Sequence, residues 1–168
     1  MHHLTSGVKS LATEMVYNGL DEMRQACGGA GFLLSSGIAE AWGNISPYPT
    51  FEGTNPVMVQ QASRLIFKNL TKIAKGKQPG KIFAYLGKLD EMIADAQNSS
   101  NDEISSLDYI ERTLAVRSAF AIHELNKLMN ASDASSKEKL NEIFALDISR
   151  IVRLHVIYMT FKLSRERI

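Results

Sequence analysis

The feature that most constrains the fold is the spacing of apolar residues, which recur every three or four positions along most of the chain. In the first segment they occupy Leu4, Val8, Leu11 and Met15, and this spacing predicts an amphipathic helix from Leu4 to Cys27. Similar spacings predict further helices that begin near Ile38, Asn55, Ile82, Ser105 and Ser135. No alternation of apolar and polar residues is long enough to predict a β-strand. The predicted fold class is all-α, a helical bundle.

One stretch in the first half interrupts this helical pattern. Pro47 and Pro49 forbid a helix and favour extended backbone in the residues that precede them. Asn55 is the predicted N-cap of the next helix and Pro56 its first residue. Glu52 therefore lies in a rigid loop just ahead of a helix N-terminus, whose N–H groups suit an anion or a cofactor phosphate. A carboxylate in a loop is most often a solvated surface charge, so this pattern alone leaves both roles open.

The segment 28–32, Gly-Gly-Ala-Gly-Phe, allows two interpretations. It can be the turn that ends the first helix. It can also be a backbone that lets a cofactor phosphate approach closely, because glycine has no side chain in the way. It does not have the spacing of a dinucleotide-binding fingerprint, and a helix rather than a strand precedes it.

The composition excludes several classes of function. With 19 Lys+Arg against 18 Asp+Glu, the net charge is +1, which provides no basic field for nucleic acid. No apolar run is long enough to predict a membrane span. The single cysteine, Cys27, cannot form an internal disulfide and lacks the neighbours of a metal site, so no metal is predicted and an intracellular, reducing compartment is favoured.

A short linker divides the chain. Lys77-Gln78-Pro79-Gly80 contains helix breakers and predicts a boundary between residues 1–76 and residues 81–168. Gly76 is the predicted stop of the helix before it, and Ser135-x-x-Glu138 predicts a capping box at the start of the last helix. Because the helical pattern is already present at Leu4 and continues to the C-terminus, we expect the sequence to be part of a longer polypeptide.

Several side chains of the second half have predicted roles in packing. The core face of the helix after Ser105 is predicted to consist of Leu107, Ile110, Leu114, Ala121, Leu125 and Leu128. His123 and His155 are predicted to be hydrogen-bonded packing residues rather than ligands or bases. Asp147, which has apolar neighbours, is predicted to form a hydrogen bond to another helix.

Four motifs resemble the acyl-CoA oxidases and occur in the same order. They are Gln25-Ala26-Cys27-Gly28-Gly29-Ala30-Gly31-Phe32, Ser35-Ser36-Gly37-Ile38, Pro49-Thr50-Phe51-Glu52-Gly53-Thr54-Asn55 and Gln60-Gln61-Ala62-Ser63-Arg64. The acyl-CoA dehydrogenases share the Gln-x-x-Gly-Gly and Glu-Gly-Thr parts. The resemblance covers nearly the whole chain and implies the C-terminal helical region of an oxidase: the end of one helical domain in 1–76, then the start of a second in 81–168.

This resemblance implies an FAD enzyme that converts a fatty acyl-CoA into the trans-2-enoyl-CoA, with O2 reduced to H2O2. The catalytic base of the family falls on Glu52, beside a substrate contact at Gly53. The implied FAD contacts are Gln25, Gly28, Gly29 and Thr54. The resemblance also implies a homodimer in a peroxisome.

Two alternatives remain open at this stage. The oxidases usually carry an acidic residue at the position of Thr54, whereas a threonine is typical of the dehydrogenases. Another electron acceptor could therefore replace O2. The chain could also be a non-catalytic helical module for dimerisation or interaction, derived from the same family. The acyl chain length that such an enzyme prefers is not predicted by these residues.

Overall fold

The computed structural model describes residues 2–98 and 104–166, and its regular elements in these ranges are all helical. In chain order the α-helices are α1 (His2–Ala26), α2 (Ile38–Ile45), α3 (Asn55–Ala74), α4 (Leu89–Asn98), α5 (Leu107–Ala131), α6 (Ser136–Glu138) and α7 (Ala145–Arg165). Short 3-10 helices span Gly28–Phe32, Leu34–Ser36 and Lys81–Lys88, and a π-helical turn spans Lys139–Ile143. The predicted all-α fold class is confirmed.

The chain divides into two compact units, Met1–Gln61 and Ala62–Ile168, called here unit 1 and unit 2. Unit 1 contains α1, α2 and the loop that carries Glu52. Unit 2 contains α4 to α7. The assignment of residues 1–76 and 81–168 to two domains, with a linker at 77–80, stays a prediction.

Helix α1 forms where the apolar spacing predicts it, but the apolar face is largely exposed. Met15 is 61% exposed, Val16 49% and Met23 56%. The buried positions are instead small or polar, and include Ser6 and Ser10. The apolar face that this spacing indicates is therefore not packed within unit 1 as the structure describes it.

The C-terminus of α3 is closed by local hydrogen bonds around Gly76, as predicted. Gly76 has φ +65°, and its N–H donates to the carbonyl oxygen of Ile73 over 2.9 Å. The N–H of Lys77 donates to the carbonyl oxygen of Lys72, also over 2.9 Å. This pair of bonds is the Schellman motif, which favours glycine at its left-handed position.

Unit 2 has a well-defined apolar core. Its most deeply buried large side chains are Ile66, Phe83, Leu86, Ile122, Ile148, Val152 and Val156. Helix α5 packs along α7. The buried face of α5 consists of Ala115, Ser118, Ala119, Ile122 and Leu125.

That face corrects the prediction for α5. Of the predicted core residues, Leu125 is buried, but Leu107 is 54% exposed and Leu128 60%. The large leucines suggested the core face from sequence, whereas small residues such as Ala119 lie against the rest of unit 2, because small side chains permit closer helix packing.

A polar network crosses this core. The hydroxyl of Tyr85 lies 2.9 Å from Oγ of Ser118 and 2.7 Å from Nδ1 of His155. The His155 ring stacks on Phe83, with centroids 5.3 Å apart. Nε2 of His123 donates to the carbonyl oxygen of Leu86 over 2.7 Å. Both histidines have the packing role that the sequence predicts.

Two other features of unit 2 concern helix starts and charges. The capping box is confirmed: Ser135 Oγ accepts from the N–H of Glu138, and the Glu138 carboxylate accepts from the N–H of Ser135. Asp147 pairs with Arg150 of its own helix over 3.1 Å, so its predicted bond to another helix is wrong. The three-residue spacing on α7 places these two groups side by side on its solvent-facing surface.

No helix of the described residues is long and apolar enough to cross a membrane. Within 2–98 and 104–166, no group of three or more His, Cys, Asp or Glu side chains is arranged to hold a metal ion.

Candidate functional site

The loop that carries Glu52 is closed by backbone hydrogen bonds around its two prolines. The carbonyl oxygen of Pro47 accepts from the N–H of Thr50 over 2.9 Å and from the N–H of Phe51 over 3.0 Å. The carbonyl oxygen of Pro49 accepts from the N–H of Asn55 over 2.9 Å. The segment is thus a compact, non-helical loop, as the prolines predict. The extended backbone predicted before Pro47 is wrong, because Ser46 is right-handed helical in conformation, with φ −54° and ψ −30°.

Glu52 has an unusual backbone conformation within this loop. Its φ is +57°, and among the described residues it is the only non-glycine residue with a positive φ. For an L-amino acid with a Cβ, this region costs roughly 1–2 kcal/mol relative to the right-handed one. Residues held in such conformations cluster at functional sites, because the surrounding structure must enforce them.

Gly53 continues the left-handed course of the chain with φ +98°. A Cβ at this position would collide with the methyl group of Met58 on α3. Gly53 therefore combines two requirements that only glycine meets, a positive φ and close contact with α3.

The Glu52 side chain is exposed, and so is that of Thr54. Within the part of the chain that the structure describes, the Glu52 carboxylate has no hydrogen bond or ion pair. The strained backbone thus presents an unneutralised carboxylate at the surface of unit 1. An exposed carboxylate without a partner in the protein can act as a general base towards a molecule that binds beside it.

Helix α1 anchors the end of this loop. Nζ of Lys9 donates to the carbonyl oxygen of Gly53 over 2.7 Å and to Oδ1 of Asn55 over 3.0 Å. Nδ2 of Asn55 donates to the carbonyl oxygen of Ser10 over 3.2 Å and to Oγ1 of Thr13 over 3.1 Å. These four bonds join α1 to the residues that follow Glu52.

The position of Asn55 corrects the predicted helix start. Helix α3 begins at Asn55 itself, one residue earlier than the N-cap prediction implies. The side-chain amide of Asn55 forms hydrogen bonds with residues of α1, outside its own helix. Nothing near Asn55 in the sequence signals this, because its partners lie 42 to 46 residues earlier in the chain.

The glycine segment follows α1 as a 3-10 helix, and its glycines differ in their surroundings. Gly28 has φ +56°, and no atom lies within 4 Å of where its Cβ would be. The corresponding space at Gly29 is also open. At Gly31 a Cβ would collide with the carbonyl oxygen of Arg24, so Gly31 is required for packing. The open faces of Gly28 and Gly29 leave room for a ligand to approach the backbone.

Gln25 lies on the last turn of α1 beside this segment. Its Nε2 donates to Oδ2 of Asp21 over 2.7 Å, and Nη2 of Arg24 donates to Oδ1 of Asp21 over 2.8 Å. The bonds from Arg24 and Gln25 hold the pKa of the Asp21 carboxyl below its usual value. Arg24 also lies over the Trp42 ring, 5.8 Å from its centroid.

The predicted site residues thus form two groups. Glu52, Gly53 and Thr54 share the loop that Lys9 contacts, whereas Gln25, Gly28 and Gly29 lie at the far end of α1. The sixteen residues from Lys9 to Gln25 correspond to about 24 Å along a helix. A single ligand could contact both groups only if it is elongated, or if the two groups come from two copies of the chain. Sequence reasoning missed Lys9, Ser10 and Thr13, because α1 carries no local signal of a contact with a distant loop.

The chain resembles known proteins of one kind. Residues 1–67 match the C-alpha1 domain of acyl-CoA oxidases. Peroxisomal acyl-coenzyme A oxidase 1 of the mouse, Mus musculus, is 31% identical over the whole chain, which covers 26% of that protein. Acyl-CoA oxidase 1 of Arabidopsis thaliana has a similar structure, with a TM-score of 0.83 and 25% identity over 98% of this chain and 25% of that one.

A third relative was solved with ligands. Acyl-CoA oxidase-2 of Caenorhabditis elegans, bound with FAD, ascaroside-CoA and ATP, superposes with a TM-score of 0.74 and 29% identity over 99% of this chain and 25% of that one. The chain therefore spans about a quarter of the length of the relatives that it matches. The predicted resemblance is confirmed: the chain is similar to acyl-CoA oxidases over its whole length and matches their C-alpha1 domain in residues 1–67.

Proposed function

We propose that this chain supplies the C-terminal helical part of an FAD-dependent acyl-CoA oxidase, with Glu52 as the catalytic base. The observation that carries the proposal is the Glu52 loop: an exposed carboxylate on a strained backbone, held by Pro47 on one side and by α1 on the other. The similarity to acyl-CoA oxidases is the reason to interpret this carboxylate as a catalytic base.

In the proposed reaction, Glu52 takes the α-proton of a fatty acyl-CoA. That proton is only weakly acidic, so the base must be fixed close to it in a site that excludes water. The N–H of Glu52 is a candidate donor to the thioester oxygen, where negative charge develops as the proton leaves. Gly53 is the proposed substrate contact beside it, as the family resemblance implies.

FAD, when bound, accepts the β-hydrogen as hydride, and its electrons then reduce O2 to H2O2. We place the FAD contacts of this chain at Thr54 and at Gln25, Gly28 and Gly29. The open space beside Gly28 and Gly29 fits the close approach of a diphosphate. The separation of the two groups along α1 supports a homodimer in which one cofactor meets both chains. A peroxisomal location is proposed because the mouse relative is described as peroxisomal.

The test uses the native flavoprotein that contains this sequence. Glu52→Gln keeps the size and polarity of the side chain but cannot accept the proton. We expect it to bind FAD normally and to lose reduction of the flavin by acyl-CoA under anaerobic conditions. Glu40→Gln, at another exposed glutamate of unit 1, is the matched control and should reduce normally. Retained reduction in Glu52→Gln would contradict the assignment.

The same preparation distinguishes the alternatives. Release of H2O2 when air is admitted supports an oxidase, whereas flavin that stays reduced until another acceptor is added indicates a dehydrogenase. The exposed apolar face of α1 would also suit a non-catalytic interaction module. A native protein without flavin, with no response to acyl-CoA, would favour that module.

A further inference from the structure

We propose that Lys9 is a positioning residue for Glu52, and that it acts by holding the carbonyl group of Gly53, the residue after the base. This inference rests on the proposed function, because it gives Lys9 a role only through Glu52. It adds to the site a residue of α1 to which the family resemblance assigns no role.

The residues on both sides of Glu52 are held by backbone hydrogen bonds, and Lys9 supplies one of these two anchors. On the N-terminal side, the N–H of Phe51 donates to the carbonyl oxygen of Pro47 over 3.0 Å. On the C-terminal side, the carbonyl oxygen of Gly53 accepts from Nζ of Lys9 over 2.7 Å. A left-handed conformation at a residue with a Cβ persists only where its surroundings enforce it. These two anchors therefore help to keep Glu52 at φ +57°.

The Lys9 bond is of a strong kind. It is charge-assisted, and such bonds are shorter and stronger than those between neutral groups. Lys9 is half-buried, so its ammonium has given up part of its hydration and depends on protein acceptors. Its acceptors are the carbonyl oxygen of Gly53 and Oδ1 of Asn55, and both residues follow Glu52 in the chain.

Asn55 and Thr13 hold Lys9 in register with the loop. The Asn55 amide donates to the carbonyl oxygen of Ser10 and to Oγ1 of Thr13, which turns its Oδ1 towards Lys9. The Thr13 hydroxyl donates to the carbonyl oxygen of Lys9 over 2.8 Å. The network thus couples one turn of α1 to the residues immediately after the base.

Removal of the ammonium releases the Gly53 carbonyl and lets the Glu52 carboxylate move. A displacement of about 1 Å from the reactive geometry can cost roughly 100-fold in rate. The bound substrate and FAD keep their other contacts, so their affinities should change little. The expected signature of a positioning residue is therefore a loss of reduction rate without a loss of binding.

The experiment measures anaerobic flavin reduction by a fatty acyl-CoA in the native flavoprotein. Lys9→Met should lower the limiting reduction rate about 10- to 100-fold, while the apparent substrate dissociation constant stays within about threefold. Lys9→Arg retains a charged donor and should recover most of the rate. Lys68→Met, at an exposed lysine of α3, is the matched control and should behave as the unaltered protein.

The variants also separate this inference from the proposed function. If Glu52→Gln abolishes reduction but Lys9→Met reduces at the normal rate, Lys9 has no positioning role and the inference is overturned alone. If Glu52→Gln reduces normally, the proposed function fails first. Added to Glu52→Gln, Lys9→Met should lower the residual rate no further, because its effect passes through that carboxylate. A further loss of similar size would show an independent role and overturn the inference.

A milder variant covers the case in which Lys9→Met does not fold. Thr13→Val removes the hydroxyl that contacts Asn55 and leaves every charge in place. It should lower the limiting rate several-fold, in the same direction and again without a change in affinity. An unchanged rate in Thr13→Val, with Lys9→Met unfolded, would contradict the proposed network.

Discussion

Units 1 and 2 differ in what they bury. Unit 2 has large apolar side chains inside, such as Phe83, which is 2% exposed, and Ile122, which is fully buried. Unit 1 buries polar side chains, among them His3, Ser6 and Ser10. It exposes large apolar ones, namely Met15, Val16, Met23, Phe32, Leu33 and Leu34. Unit 2 also exposes some apolar residues, but in addition it has a packed apolar core.

The difference links burial to chemistry. Every proposed catalytic and cofactor residue lies in unit 1, whose apolar surface is the less covered of the two. Many exposed large apolar side chains are typical of a region where another surface binds. We infer that unit 1 carries the chemistry and is completed by further protein, whereas unit 2 carries most of the stability of this chain.

The largest expected effect compares one methionine from each unit. Met159 of α7 is 3% exposed and Met15 of α1 is 61% exposed. In the 168-residue chain, Met159→Ala should lower the free energy of unfolding by about 2–5 kcal/mol, because it leaves a cavity. Met15→Ala should change it by less than about 0.5 kcal/mol. Urea unfolding measures both, and equal losses would contradict the division of roles. A larger effect of Met15→Ala in the native protein would show that another part of that protein buries Met15.

A smaller effect is expected from the polar network of unit 2. Burial raises the pKa of the Tyr85 hydroxyl, which stays protonated between Ser118 and His155. Tyr85→Phe leaves both partners without it and should cost about 1–3 kcal/mol. Tyr48→Phe, at a tyrosine of unit 1 that is 44% exposed, is the control and should be nearly neutral. Thermal unfolding of the two variants provides the comparison, and similar midpoints would show that the network contributes little.

The smallest effect concerns the exposed capping box of unit 2. The bonds from Ser135 hold the pKa of the Glu138 carboxyl below its usual value. The folded carboxyl therefore binds its proton less readily than the unfolded one, and stability rises with pH in this range. The contribution is complete above the usual carboxyl pKa and is lost as the pH falls through the lowered value. Glu138→Gln and Ser135→Ala should each flatten this part of the stability profile, and an unchanged slope would refute the link.

Several local signals in the sequence predicted local features correctly. Gly76 and the Ser135–Glu138 pair fix helix ends through bonds between near neighbours, so their residue types are sufficient to identify them. The prolines likewise predicted the loop around Glu52. The resemblance to the acyl-CoA oxidases then distinguished Glu52 from the other exposed carboxylates. The residues that surround Glu52 in the sequence are not sufficient to do so.

Features that depend on distant residues were predicted less well. The exposure of Leu107 and Leu128 follows from how α5 lies on its neighbours, which hydrophobicity alone does not specify. The positive φ of Glu52 occurs beside the Gly53 carbonyl, which accepts a hydrogen bond from Lys9, 44 residues away in the sequence. The 3-10 course of Lys81–Lys88 and the π-helical turn at Lys139–Ile143 are departures from the α-helix that the apolar spacing does not reveal.

The most direct test of the central claim, that unit 1 is completed by further protein, is the size of the native polypeptide. An antibody raised against residues 82–96 detects it in an extract of the source. We predict a band about four times heavier than the 18.6 kDa of this sequence, in a fraction that contains flavin. A single band at 18.6 kDa, in a fraction without flavin, would contradict the account.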